Sequence, residues 1–446
     1  MHPPMTARSM LALAAIFAVA LGLRGLWLAR TDTEPSFLSD PQYYHVTAQN
    51  LAEGRGYSVG IDRGGFSSGD TSEPTAFWAP GYPFALAPFY KLVSPDIRVA
   101  KVFNAIVGAL TVVPIYFLGR GSGRAAARAD GVGLLAAGLF AVIPSLVFWT
   151  PVLSSEPLFT LGVASTLAVA LWAGERGSIG GYFITGVTLT ATAFVRSQGT
   201  LMIVPVAVLL LRNLDPKRLL RAGAAVGAGV ALLVVPWALR NEAVMGRPYL
   251  ISDNLGYNLR ISHAPYATGT SVPPQDLWDD QPGISFKERE ILFDDEGRRR
   301  AFMYAREHPR RELQLAMYRI GYLLRSDSYD AMSKSLQVTS IAERGKAYFM
   351  IGDVFYYSLI ALAALSLFAM TRSCVWFALW SSILVWLALH LVFAGEPRYH
   401  VPLLPVATVL AANTVLALLS SSLLHAHDCR VFDRVAARLG ATRTKS

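Results

Sequence analysis

Long apolar runs separated by short polar breaks dominate this chain and set its class before any single residue is considered. Runs of about twenty apolar residues can cross a bilayer as helices, because a helix rises about 1.5 Å per residue and the hydrocarbon core is about 30 Å thick. The pattern predicts about ten spans. They cover residues 10–29, 99–118, 131–149, 157–173, 180–195, 199–211, 219–239, 351–370, 374–394 and 401–420. The pair 180–195 and 199–211 is short, about 20 to 24 Å of helix, and short spans leave a recess. Its tip, Arg196-Ser197-Gln198-Gly199, is expected at the floor of a cavity. Residues Thr75 to Val93 are apolar too, but Pro80, Pro83 and Pro88 interrupt them, so this stretch is read as re-entrant or interfacial. The expected fold is an all-α polytopic membrane protein with extracytoplasmic juxtamembrane helices and a smaller extracytoplasmic loop region.

Composition agrees with that class. The 446 residues are 53% hydrophobic and only 16% charged, too apolar for an ordinary soluble domain. Basic residues then orient the spans, since cytoplasmic loops carry an excess of Lys and Arg. Arg8, Arg120, Arg124, Arg128, Arg176, Arg212, Lys217, Arg218, Arg221, Arg372, Arg430, Arg434, Arg438, Arg443 and Lys445 fall in alternate loops and in the tail. Both termini are therefore expected in the cytoplasm, with the protein in the plasma (inner) membrane as a multi-pass chain. Loops 30–98, 150–156, 196–198, 240–350 and 395–400 are expected outside. The net charge of +9 suits anionic lipid headgroups on the inner surface and does not imply nucleic acid. Cys374 and Cys429 both fall on the cytoplasmic side, which argues against a disulfide framework. The first span is read as a retained anchor, with Arg24 near its end able to snorkel to the headgroups.

Four parts follow: an N-terminal transmembrane catalytic module, 1–239, which includes the first outer loop, 30–98; an extracytoplasmic loop region, 240–350; C-terminal transmembrane helices, 351–420; and a basic cytoplasmic tail, 421–446. In the first loop, Asp40 as N-cap and Pro41 at the first helical position predict a helix that stops at Gly54 and Gly56. Tyr44, Ala48 and Leu51 share its apolar face. The second loop is turn-rich near Asn254, Gly256 and Asn258, and helical over 285–324 with a break at His308-Pro309. No internal repeat is present.

Ionisable residues at the ends of apolar segments usually serve a substrate, because burying charge at a membrane is costly. Asp40, Glu156, Arg196 and Arg398 all fall on the outer side by this topology. Asp40 can take a proton from an incoming hydroxyl, although Asp-Pro at a helix start needs no function. Glu156 can position an acceptor, hold Arg196 or tune Asp40. Arg196 and Arg398 run against the inward bias of basic residues, and planar guanidiniums bind phosphate oxygens in pairs. They could also pair with Glu156 and Glu396 and hold loops together. His45, His263 and His400 lack metal-ligand spacing, so no metal is assigned and a divalent ion is unsupported. No nucleotide or redox motif is present, and no cofactor is expected.

The order of short motifs goes further. Asp40 followed by Tyr43-Tyr44, Ala48 to Leu51 and Gly54-Arg55-Gly56-Tyr57 opens a series that continues with Pro80-Gly81-Tyr82-Pro83 and Ser155-Glu156-Pro157. Arg196-Ser197-Gln198-Gly199, Pro236-Trp237 with Arg240-Asn241, Gly256-Tyr257-Asn258-Leu259, and Arg398-Tyr399 with Pro402 and Pro405 complete it. Placed between these spans, the series resembles the membrane-embedded C-type glycosyltransferases that use polyprenyl-phosphate sugars, including the protein O-mannosyltransferases and the lipid A aminoarabinose transferase. The resemblance implies that Asp40 is the catalytic carboxylate, with Glu156 beside it, and that Arg398 and Arg196 meet the donor phosphate. Tyr43, Tyr44, Tyr82, Tyr257, Asn258 and Tyr399 are expected to line the substrate cavity. Many relatives have Asp-Glu where this chain has Asp40-Pro41, which leaves the second acid to Glu53, Glu73 or Glu156.

The implied activity is transfer of a hexosyl- or pentosyl-type sugar from a polyprenyl-phosphate donor to a hydroxyl of a glycan, lipid or protein acceptor, with inversion. Membrane lipids are the other expected partner. A transporter or flippase for a lipid-linked or small sugar is the alternative, but such proteins usually carry internal repeats.

Overall fold

The computed structural model describes residues 5–31, 34, 39–62, 65–123, 126–210, 216–274, 284–336, 346–370 and 372–420. The tail 421–446, with Cys429, lies outside them, as do residues 275–283 of the second loop. Among the described residues, seven helices are long and apolar enough to cross a membrane: Ala7–Leu28, Ile97–Ser122, Glu156–Arg176, Leu219–Met245, Tyr348–Ala369, Cys374–Val392 and Pro397–Ser420. The other three expected spans are shorter apolar helices, Ala129–Ala141, Ile179–Val195 and Ser197–Leu210. The first falls short because its helix ends at Ala141, and a separate short helix, Pro144–Phe148, begins at the next proline. The multi-pass reading stands; seven of the ten expected spans reach full length, and the pair Ile179–Val195 and Ser197–Leu210 is short, as its sequence predicts.

Two ends of the bundle differ in character. At one, Asp130 accepts from Ser9 at 2.6 Å and Tyr116 at 3.0 Å and pairs with Arg120 at 2.8 Å, tying the start of the first span to the end of Ile97–Ser122. At the other, the two long loops fold together. The first loop contains helix Asp40–Ala52 and a three-stranded antiparallel sheet, in which Ser58–Asp62 lies between Gly65–Ser67 and Glu73–Pro74. This small sheet corrects the all-α expectation. Its strands have two to five residues, too short for alternation to show in the sequence.

The region Thr75 to Val93 holds helix Gly81–Leu92, whose 12 residues cannot span a bilayer. It packs on helix Asp40–Ala52 and leaves Phe84, Phe89 and Leu92 exposed, as suits an interfacial helix. Gly81 is required by close approach: a Cβ there would lie 2.6 Å from the Phe194 backbone. In the second loop, Leu255–Ser262 and Phe286–Glu307 touch backbone to backbone, and a Cβ on Gly256 would fall 1.9 Å from the Asp294 carbonyl. Ser285 and Glu288 form a reciprocal cap at the start of Phe286–Glu307, which ends at His308 as expected. Helix Pro309–Leu323 follows, and Arg319 donates to the Leu391 carbonyl at 2.7 Å and the Ser262 carbonyl at 2.6 Å, fastening the loop region to Cys374–Val392. Arg24 does not snorkel. It is buried at 1% exposure and donates to the carbonyls of Ala20 and Ala141, because lipid-facing residues lie on the other side of its helix.

Candidate active site

A cavity of about 630 Å³ opens where the two loops meet the bundle. Its polar lining gathers Asp40, Arg196, Gln198, Arg398 and Tyr399 from three separate segments, with Asn258, Arg289 and Glu290 from the second loop. Phe66, Phe77, Trp78, Tyr257 and Phe286 form an apolar wall. The volume matches a site for a small organic group, and a mostly apolar wall with few convergent polar groups is the usual form of one.

Each charged side chain is aimed by local structure. Helix Asp40–Ala52 is capped by Ser39, whose Oγ accepts from the Gln42 N–H at 3.4 Å, so Asp40 is the first helical residue and not the cap. Its carboxylate is thereby released from capping. It is one-third exposed and stands 3.8 Å from the Arg398 guanidinium. Arg398 rides on the 3₁₀ turn Pro397–Leu403, donates to Glu396 at 2.8 Å, and is largely enclosed. Arg196 follows helix Ile179–Val195 with extended backbone, at the tip of the hairpin. It donates to Glu156 at 2.8 Å and to the Ser155 hydroxyl at 3.3 Å. The ring of Tyr399 serves both cations, 5.6 Å from the Arg196 guanidinium carbon and 5.3 Å from that of Arg398.

The structure divides the expected site residues into two groups. Asp40, Arg196, Arg398, Tyr44, Tyr257, Asn258 and Tyr399 line the cavity. Glu156 does not: it is 3% exposed and lies behind Arg196, as the first residue of helix Glu156–Arg176. Tyr43 and Tyr82 are also away from the lining, because successive helical side chains diverge. Tyr43 is buried and shares a hydrogen bond with Thr75 at 2.8 Å, and Tyr82 donates to Asn104 at 2.9 Å. Both fill the interior that supports the cavity. Among the described residues, no three of His, Cys, Asp and Glu come together as a metal site. His45, His263 and His400 each have different neighbours, namely Tyr90, Glu312 and the Leu323 carbonyl.

Sequence reasoning missed part of the wall. Glu290 lines the cavity and is nearly closed off from solvent, accepting from the Thr75 hydroxyl and, at 3.1 Å, from the Ala76 N–H. Asp253 is buried against it, close enough for the two carboxyls to hydrogen-bond to each other. Burial pushes the Asp253 carboxyl up to about 7 and Glu290 well above the usual carboxylate range, and the neighbouring Asp253 charge raises Glu290 further. Two such carboxyls share a proton. The pair staples Thr75 and Ala76, which precede the wall residues Phe77 and Trp78, to the second loop. Arg240 adds bonds to the Thr75 carbonyl at 2.7 Å and the Tyr57 carbonyl at 2.6 Å, which accounts for the Trp237-to-Asn241 motif as scaffold. The signal for the pair was absent from the chain because its members are far apart in sequence.

Residues 74–239 match the family model of dolichyl-phosphate-mannose-protein mannosyltransferases. No curated protein sequence matches the chain. Among solved structures, the archaeal oligosaccharyltransferase AglB from Archaeoglobus fulgidus, in complex with an inhibitory peptide and a dolichol-phosphate, superposes over 99% of this chain with a TM-score of 0.56 at 14% identity. The chain resembles the membrane-embedded C-type glycosyltransferases. A second structure of the same oligosaccharyltransferase, tethered to an acceptor peptide, covers 94% of the chain with a TM-score of 0.55 and 15% identity. The chain spans about half the length of these proteins, 53% and 50%. ArnT from Cupriavidus metallidurans, bound to undecaprenyl phosphate, has 14% identity over 92% of this chain and 78% of its own, with a TM-score of 0.39.

Proposed function

We propose that the protein transfers a sugar from a polyprenyl-phosphate donor to an acceptor hydroxyl at the extracytoplasmic face of the plasma membrane. The observation that carries this reading is one cavity holding a solvent-reachable carboxylate, Asp40, beside two enclosed guanidiniums at a membrane boundary. The family match over 74–239 and the fold likeness support a lipid-phosphate donor.

In this mechanism the lipid chain stays in the bilayer and its phosphate enters between Arg398 and Arg196. Asp40 takes the acceptor's proton as the hydroxyl oxygen bonds to the anomeric carbon. The bond from that carbon to the phosphate oxygen breaks, and the lipid phosphate leaves with the electron pair. A single displacement inverts the anomeric centre. The base contributes about 10² to 10⁴ in rate, and preset donors at the leaving oxygen add a comparable factor. Glu156 acts from behind: its bond to Arg196 holds that guanidinium toward the cavity. Tyr257 and Asn258 then face the sugar or acceptor, and the acceptor is a glycan, lipid or protein.

The test is mass spectrometry of glycolipids, glycans and glycoproteins from cells with and without the protein. Loss of one sugar from one acceptor class, with its polyprenyl-phosphate form accumulating, is the expected result. An unchanged set of glycoconjugates accompanied by altered lipid or sugar transport would overturn the reading.

A further inference from the structure

Behind the cavity, a second carboxylate binds two segments that carry its arginines. Asp327 sits in the bend between helices Pro309–Leu323 and Ser328–Leu336 and is wholly buried. Its Oδ2 accepts from the Trp149 indole N–H at 2.7 Å. Its Oδ1 faces His400 Nε2 at 3.5 Å, and both atoms are buried without a hydrogen-bond partner among the described residues. The far side of the His400 ring is fixed as well: Nδ1 lies 3.0 Å from the Leu323 carbonyl and 3.4 Å from the Tyr356 hydroxyl, and the ring stacks on Tyr356 at 4.5 Å.

The placement of these two contacts gives them meaning. Trp149 ends the short helix that leads to Ser155 and Glu156, and thus to Arg196. His400 lies on the turn Pro397–Leu403 that presents Arg398 and Tyr399 to the cavity. One carboxylate therefore bridges the two halves of the guanidinium pair. A buried carboxylate is costly unless it is compensated, and here one oxygen has the Trp149 hydrogen bond while the other faces His400, an ion pair when that imidazole is protonated. We propose that Asp327 is a positioning residue for the transfer reaction, fixing the spacing between Arg398 and the Arg196–Glu156 pair through His400 and Trp149. This rests on the assignment of those arginines to the donor phosphate. Reacting groups misplaced by about 1 Å lose much of their effect, so a brace behind a charge pair is felt at the phosphate.

The experiment measures binding of undecaprenyl phosphate, and of undecaprenol as its phosphate-free control, to the full chain in lipid nanodiscs. Asp327→Asn keeps an acceptor for Trp149 and loses the charge facing His400, and His400→Gln cuts the same link from its other end. Each is expected to weaken undecaprenyl phosphate binding about tenfold, the scale on which partners behind a contacting residue act. The double variant is expected to be no weaker than either single, because the links lie in series. Undecaprenol binding is expected to stay unchanged. Equal loss for both lipids would show general loosening and overturn the proposal, as would unchanged phosphate binding in both singles. Wild-type protein that does not favour the phosphate over the alcohol would instead overturn the phosphate seat itself, and with it anything Asp327 could position.

Discussion

Asp40→Asn separates chemistry from folding, because the structure gives the helix start to Ser39. The substitution leaves the cap at Ser39 Oγ and the buried face of Tyr43, Tyr44, Val46, Ala48 and Asn50 intact. What it removes from the fold is small. A carboxylate in the first turn of a helix is worth about 0.3 to 1 kcal/mol. The 3.8 Å contact with Arg398, one-third exposed on the Asp40 side, adds about 0 to 1 kcal/mol after solvent screening. Loss of a general base costs about 10² to 10⁴ in rate, or about 2.7 to 5.4 kcal/mol of barrier. The kinetic effect therefore exceeds the stability effect. Purified Asp40→Asn protein should melt close to wild type and bind the lipid donor, while single-turnover transfer falls at least about a hundredfold. Ser39→Ala gives the opposite pattern, losing about 1 kcal/mol of helix stability and keeping transfer. Well-folded Asp40→Asn protein that transfers within about tenfold of wild type would refute the assignment and return Asp40 to a structural role.

Arg398→Ala is expected to weaken undecaprenyl phosphate binding, and Arg398→Lys to restore only part of it, because an ammonium keeps the charge and loses the paired N–H fork; equal affinity in all three proteins would move the phosphate elsewhere. The Asp253–Glu290 pair sets a pH dependence: folding raises both pKa values, Asp253 to about 7, so the folded chain keeps a proton that the unfolded chain releases. Stability from the pair is full below the unfolded carboxyl pKa of about 4 and declines as pH rises toward about 7. Melting temperature followed across that window should show the decline in wild type and a flatter profile in Asp253→Asn, and an unaltered slope in the variant would remove the pair as its cause. For topology, an impermeant thiol reagent on intact cells should label a cysteine placed at Ser68 and spare Cys374; the reverse pattern would put the cavity on the inner face.

The membrane class followed from apolar run length alone, because no soluble core needs helices of that length and hydropathy. The helix starts and stops were legible for the same local reason: Ser285 with Glu288, His308 before Pro309, and Gly54 and Gly56 with positive φ of 81° and 73° all act within a turn or two. Asp40, Arg196 and Arg398 stood out as charges at segment ends, and the structure brings all three to one cavity. The cap was misread by one residue because Ser39 and Asp40 are both good caps, and only backbone geometry at Ser39 distinguishes them. Glu156 behind Arg196, Tyr43 and Tyr82 turned into the interior, Glu290 against Asp253, and Asp327 between Trp149 and His400 are relations across distant segments. Which face a side chain presents depends on what the neighbouring helix leaves unfilled, and that is settled only when the segments pack. The sequence determined which residues were chemically able to act, and tertiary packing decided which of them reach the cavity and which hold the others in place.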